Sequence, residues 1–182
     1  MAARNPQSQK RRGRKAYLDD FQKGPNGQYE YQGALYTYVS KGKSLKQALA
    51  ALWLLSAAQL ICTIAAGFLP PAGQSGAFYV LLPYAVTLIL GIAHIWALCK
   101  LTVHRSELRE YIYNASVKRM QTLEICTMIS SAITLAGEGI HLALYGFSGH
   151  LFASVVFLLL IASIFAISLC VRRSVLRMVW SK

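Results

Sequence analysis

Six polar or ionisable residues recur along one apolar stretch of the chain at spacings of 3, 4, 3, 4 and 3. Because an α-helix turns once every 3.6 residues, this spacing places all six on one helical face. Carboxylates, hydroxyls and an imidazole on one face are able to bind protons, cations or one another. We call this row the polar seam, and its members are Glu124, Thr127, Ser131, Thr134, Glu138 and His141.

Burying such groups in an apolar environment is costly, so the polar seam is expected to face other helices or a water-filled cavity. Two uses remain open: a proton-binding or cation-binding site, and a hydrogen-bonded packing face. Counting residues from the ends of each apolar stretch places His94 near the level of Glu124, and Gln59 with Cys62 near the level of Glu138. His94 and Gln59 are therefore the predicted neighbours of the two carboxylates.

Other chemistry finds little support in the residue pattern. Glu138 and His141 have the Glu-x-x-His spacing of di-iron bundles, but that site requires a second copy of the motif and two further glutamates. Glu124 lies roughly 21 Å away along the helix, too far to share a metal. The four cysteines contain no CxxC pair, and no phosphate-binding glycine loop or nucleophile elbow is present. The sequence therefore predicts no metal, no cofactor and no catalytic residue, and it favours a protein that is not an enzyme.

The helices that must position the polar seam are indicated by the charge pattern. All 19 Lys and Arg residues fall in residues 1–46, 100–119 and 171–182, with long apolar stretches between them. Each stretch approaches the ~20 residues needed to cross a bilayer. The sequence thus predicts an all-α integral membrane protein with four transmembrane helices, near residues 47–69, 78–101, 121–145 and 151–171.

The same pattern predicts the orientation. Short cytoplasmic loops retain Lys and Arg, so both termini and the middle loop are expected on the cytoplasmic side of the plasma or inner membrane. The net charge of +12 is explained by this rule, with anionic lipid headgroups as the partner of the basic segments rather than nucleic acid.

The N-terminal arm, residues 1–46, is expected to be a separate cytoplasmic segment, and residues 172–182 form a basic tail. Pro25, Asn26 and Gly27 favour a turn. The alternation of Tyr29 with Tyr31, and of Tyr36 with Tyr38, is typical of short strands. The arm is therefore predicted to form a small β-meander, with a disordered arm as the alternative.

A faint internal repeat relates the two halves of the chain. Tyr36, Tyr38 and Lys43 recur at one offset as Tyr111, Tyr113 and Lys118. Two similar helical hairpins, each running in, out and back in, would give this pattern. Chance identity explains it equally well.

These observations favour one functional hypothesis over two others. The first is a non-enzymatic accessory or assembly subunit of a membrane complex, with a membrane-protein partner or a second copy of itself. The alternative is a proton-coupled or small-solute transporter or channel that uses the polar seam, and the third is an intramembrane enzyme. The middle loop is further expected to continue the second helix, with Asn114 or Ser116 capping the third.

Overall fold

A computed structural model describes residues 21–23, 28–31, 33–39, 44–70, 77–105, 108–146 and 151–181. The polybasic run at residues 10–15, the turn at residues 25–27 and His150 lie outside the described residues. Among the described residues, four helices are long and apolar enough to cross a membrane.

Helix α1 spans Leu45–Gly67 and α2 spans Phe78–Val103. The third helical stretch, α3, spans Glu110–Tyr145, and α4 spans Leu151–Leu176. Ser44 begins α1 with a capping box, because its hydroxyl accepts from the Gln47 amide while the Gln47 side chain accepts from the Ser44 amide. The four predicted spans are confirmed as helices, and α1 begins two residues earlier than residue 47.

The helices form a closed ring in which each one packs against its sequence neighbours, and α4 closes the ring against α1. Buried apolar side chains fill both ends of the ring. Leu52, Leu98 and Val171 belong to the cluster at the end that carries the basic residues. Ala66, Val80 and Phe157 belong to the cluster at the opposite end. We call these the basic end and the opposite end.

The middle connection differs from the sequence prediction. Helix α2 ends at Val103, and the helical extension belongs instead to α3. Asn114 and Ser116 do not cap that helix, because they lie inside it, in a π-helical turn at Asn114–Lys118. Ser116 donates its hydroxyl proton to the Ile112 carbonyl at 2.7 Å, so its side chain is used within the helix. The third helix is consequently longer than residues 121–145.

Strands β1 (Phe21–Lys23) and β2 (Tyr29–Tyr31) pair antiparallel, with Phe21 opposite Tyr31. This is the first hairpin of the predicted meander. The third strand, β3 (Leu35–Tyr38), does not extend that hairpin. The meander prediction is wrong at this point, because β3 finds its partners in segments far along the chain.

Those partners are β4 (Leu108–Arg109), before α3, and β5 (Trp180–Ser181), after α4. Strand β3 lies between them, pairing Tyr36 with Leu108 and Tyr38 with Trp180. We call this three-stranded unit the basic-end sheet. It joins the N-terminal arm, the middle connection and the C-terminal tail at one end of the bundle.

Aromatic rings reinforce the basic-end sheet. Tyr36 stacks on Tyr113 with ring centroids 4.4 Å apart and planes within 6° of parallel. Trp180 meets Tyr38 and Tyr113 edge to face, at 5.4 Å and 6.3 Å. Offset stacking and edge-to-face contacts are the favoured arrangements of aromatic pairs. The arm is therefore fixed to α3 and to the tail by ring contacts as well as backbone hydrogen bonds.

Candidate functional site in the bundle interior

The polar seam of α3 points into the bundle over most of its length. Glu124, Thr127, Ser131 and Thr134 are fully buried, and Glu138 is 2% exposed. His141 is partly exposed near the opposite end, where its Nδ1 lies 2.8 Å from the Tyr79 hydroxyl. The seam thus runs from the bundle interior to a partly open end.

His94 and Glu124 form an ion pair inside the bundle. His94 Nδ1 lies 2.7 Å from Glu124 Oε1, and the side chains are 2% and 0% exposed. The two atoms are at ion-pair distance but do not align as a hydrogen bond. On the other side of the ring, His94 Nε2 lies 2.9 Å from the Ser56 hydroxyl. One imidazole therefore connects α1, α2 and α3.

A serine of α4, Ser168, lies at the level of His94 and Glu124. Glu138 of α3 and Ser154 of α4 interact through their side chains, which places the two residues at one level of the bundle. Counting 14 residues along each antiparallel helix from that pair brings Glu124 opposite Ser168, because both helices rise 1.5 Å per residue. Ser168 is fully buried. Each of the four helices thus contributes a polar side chain at this depth.

Gln59 belongs to the same region, although counting from the helix ends had suggested a level nearer Glu138. It follows Ser56 by three residues on α1, which places it within a turn of the His94 level. Farther from the basic end, α1 and α2 meet at Thr63 and Tyr84, because the Tyr84 hydroxyl donates to the Thr63 carbonyl at 2.8 Å. Gln59 therefore lies within about a turn of the level of Glu124, and farther from the level of Glu138. Cys62, placed with it in the prediction, also falls between these two levels.

We call the resulting group the polar layer, and its members are Ser56, Gln59, His94, Glu124 and Ser168. Several of its atoms have no hydrogen-bond partner among the described residues. They include both amide atoms of Gln59, both carboxylate oxygens of Glu124 and the Ser168 hydroxyl. Gln59 is only 2% exposed. Buried polar groups are nearly always paired, so unpaired atoms concentrated in one layer indicate a place for a ligand or ordered water.

The hydroxyls of the polar seam donate to carbonyls of their own helix, which leaves their lone pairs facing the interior. Thr127 donates to the Leu123 carbonyl at 2.9 Å, and Thr134 donates to the Ser130 carbonyl at 3.0 Å. Ser131 donates to the Met128 carbonyl at 3.0 Å. A hydroxyl that gives its proton to its own helix keeps only lone pairs for its neighbours. Together with the two carboxylates, the seam is rich in acceptors, which suits a proton donor or a cation.

A polar link that the sequence analysis did not find joins α2 to the side of the seam. Thr87 donates to Ser130 at 3.0 Å, and the Ser130 hydroxyl lies 2.6 Å from the Pro83 carbonyl. Ser130 is adjacent to Ser131 and so falls outside the 3-4 spacing. Its role depends on the carbonyl of another helix, which periodicity cannot reveal.

These contacts define a buried acid, its histidine and a set of unpaired polar atoms. Comparison with known proteins returns no match: no family model, no curated protein and no solved structure resembles the chain. Any function must therefore be argued from the site itself.

The described residues contain no group of three or more His, Cys, Asp or Glu side chains able to hold a metal ion. Glu138 interacts with Ser154 and His141, while Glu124 is paired with His94. The two carboxylates thus occupy separate sites, one near each end of the seam.

Proposed function

We propose that the protein is a multi-pass membrane protein that moves protons, alone or coupled to a small solute, with His94 and Glu124 as its proton-binding centre. The observation that carries the proposal is the buried ion pair at 2.7 Å, whose carboxylate has no aligned hydrogen-bond donor. The polar seam then provides the route between this pair and the partly exposed His141.

The location in a membrane is supported by the four long apolar helices and by the position of the charges. The Lys and Arg residues of the four described helices lie towards the same end of the bundle. The positive-inside rule makes that end cytoplasmic. The basic-end sheet then lies at the cytoplasmic surface, and His141 lies near the outer surface.

A histidine paired with a buried carboxylate is suited to proton binding, because a ring nitrogen of imidazole can take up and release a proton. Ionisable residues within membrane helices are characteristic of proton pathways. Protonation of His94 compensates the Glu124 charge, and loss of that proton leaves the carboxylate uncompensated in an apolar interior. The pair therefore has two states that differ in charge, as a proton carrier requires.

Few other charges lie near the pair among the described residues of the four helices. Lys100 is six residues from His94, about 9 Å along α2. Arg119 is five residues from Glu124, about 8 Å along α3, and Arg172 is four residues from Ser168, about 6 Å along α4. On α1 the nearest charge is Lys46. On the other side, Glu138 is about 21 Å from Glu124 along α3.

The test is proton movement into liposomes that contain the purified protein and a pH-sensitive dye. A potassium diffusion potential drives protons inwards, and the initial rate of acidification is measured. Glu124→Gln keeps the size of the side chain but cannot hold the negative charge, so it is expected to reduce the rate at least tenfold. The melting temperature of each variant checks that the bundle is folded.

Glu110→Gln is the matched control, because Glu110 is on the same helix but outside the polar seam. It should transport at the rate of the unmodified protein. A Glu124→Gln protein with undiminished rate would overturn the proposal, as would an unmodified protein no faster than empty liposomes across the tested potentials and candidate solutes.

A subunit of a membrane complex is the second candidate. It is favoured by the apolar side chains exposed around the basic-end sheet, since Leu35, Val39 and Val179 are 43%, 50% and 57% exposed. A membrane-protein partner or a second copy of the chain would cover them. Purification in mild detergent, followed by mass measurement of the intact complex, tests this candidate: a stable assembly supports it, and a monomer that transports alone contradicts it.

A further inference from the structure

The polar layer presents four oxygen atoms that lack an aligned donor among the described residues. They are Gln59 Oε1, the two carboxylate oxygens of Glu124 and Ser168 Oγ. The Gln59 Nε2 atom is equally unpaired, so no hydrogen bond holds the amide in one orientation. The amide oxygen is therefore free to turn towards a ligand that donates protons.

Charge also limits the choice of ligand. When His94 is neutral, Glu124 gives the polar layer one negative charge, and His94 is the only cationic partner within ion-pair distance of it among the described residues. A buried charge without a partner costs several kcal/mol or more. A ligand with a single positive charge removes that cost, whereas an anion or a second carboxylate increases it.

The continuity of the helices distinguishes between kinds of cation. Sodium and calcium sites in proteins draw on carbonyl oxygens that an unwound helix or a loop leaves free. Helices α1, α2, α3 and α4 are unbroken at the polar layer, so their carbonyl groups are used in helical hydrogen bonds. The side chains alone provide four acceptors. That number matches the four N–H donors of an ammonium ion.

We propose that the polar layer binds an ammonium ion, or a small primary amine in its protonated form, between Gln59, Glu124 and Ser168. This inference rests on the proposed transport function, because it names the ion that balances the negative charge of Glu124 when His94 has lost its proton. Binding is nevertheless a property of the site that is measured without any transport.

The experiment is thermal unfolding of the full chain in nanodiscs at fixed pH and fixed ionic strength. Chloride salts of ammonium, methylammonium, potassium and tetramethylammonium are compared. Potassium is similar to ammonium in size and charge but donates no hydrogen bond, and tetramethylammonium has no N–H group. A ligand that binds only the folded state raises the melting temperature as its concentration increases. Ammonium and methylammonium should do so with saturation, and the other two ions should not.

Two variants locate the effect. Ser168→Ala removes one acceptor with a minimal change of volume, and Gln59→Leu removes another; both should lose most of the ammonium-dependent shift. Ser163→Ala is the control, since Ser163 lies on the same helix, is exposed and donates to the Leu159 carbonyl at 2.8 Å. It should respond as the unmodified protein does.

Equal shifts with potassium and ammonium would overturn the inference, as would no shift at all, which is the result expected if the layer holds only water. A shift that survives in both Ser168→Ala and Gln59→Leu would place the ion elsewhere and overturn it too. The result is separable from the transport test. Proton movement without an ammonium shift refutes this inference alone, and an ammonium shift without proton movement refutes the transport function and leaves the site.

Discussion

The carbonyl oxygen of Tyr79 lies so close to Gly137 that a Cβ atom on that glycine would come within 2.9 Å of it. Pro83, four residues after Tyr79, has no N–H group to donate to this carbonyl. The carbonyl is therefore released from the α2 hydrogen-bond pattern at a point where α3 approaches it closely. A side chain at residue 137 would have to displace helix backbone.

Gly137→Ala is accordingly expected to destabilise the bundle by about 1–3 kcal/mol, because overpacking against backbone cannot be relieved by a rotamer change. Gly139→Ala is the matched control, two residues along the same helix and with nothing within 4 Å of the added Cβ atom. That change should stabilise the protein by about 0.5–1 kcal/mol through helix propensity. Unfolding in mixed micelles measures both. Equal effects of the two substitutions would contradict the close approach.

The ion pair predicts a non-additive response to substitution. His94→Leu leaves Glu124 buried without a partner and should cost about 3–5 kcal/mol of unfolding free energy. The double variant with His94→Leu and Glu124→Met replaces both charges with apolar groups and should recover most of that loss. Proton movement should be absent in both. If the double variant is as unstable as the sum of the single variants, the two side chains do not interact as the structure shows.

The stacked rings of Tyr36 and Tyr113 should give a measurable coupling energy. A double-mutant cycle with Tyr36→Ala and Tyr113→Ala is expected to yield about 0.5–1.5 kcal/mol beyond additivity. Tyr145, at the opposite end of the bundle, serves as the control, and its cycle with Tyr36 should be additive. Additivity in both cycles would mean that the arm does not rest on α3 in solution.

The orientation is testable with reporters that are active only outside the membrane. Fusions after Lys182, or within residues 101–118, should be inactive, and a fusion after Gln74 should be active, since the basic residues mark the cytoplasmic side. A protease-accessibility assay on sealed vesicles is an independent measurement. Active fusions at the first two positions with an inactive one after Gln74 would reverse the proposed topology.

The sequence predicts the helices well because their signal is local. Long apolar stretches between the clusters of Lys and Arg give the four spans, and the 3-4 spacing predicts that Thr127 and Thr134 share a face, which the structure buries. The level of Gln59 could not be obtained in the same way. Counting from the helix ends gives the correct level only where all helices end at one depth. Helix α3 instead projects past the start of α2, since Gly137 lies opposite Tyr79 near that start.

The basic-end sheet is missed for a different reason. Strands β4 and β5 have two residues each, too few for an alternating pattern to be recognised. Trp180 pairs with Tyr38 only because α4 returns the chain to the basic end. In the sequence, Ser168 is likewise an ordinary small residue of an apolar helix. Only the register of α3 against α4 places it at the level of Glu124. Each of these features depends on contacts between distant segments.

The central position of β3 in its sheet has a consequence for biogenesis. Helices enter a membrane one after another during synthesis, but β3 can complete its pairing only after β5 has left the ribosome, behind all four helices. Until then Tyr36 can already stack on Tyr113, but Tyr38 lacks its edge-to-face contact with Trp180. Closure of the sheet is thus a late step of folding, because it requires that α4 has returned the tail to the end of the bundle where the arm lies.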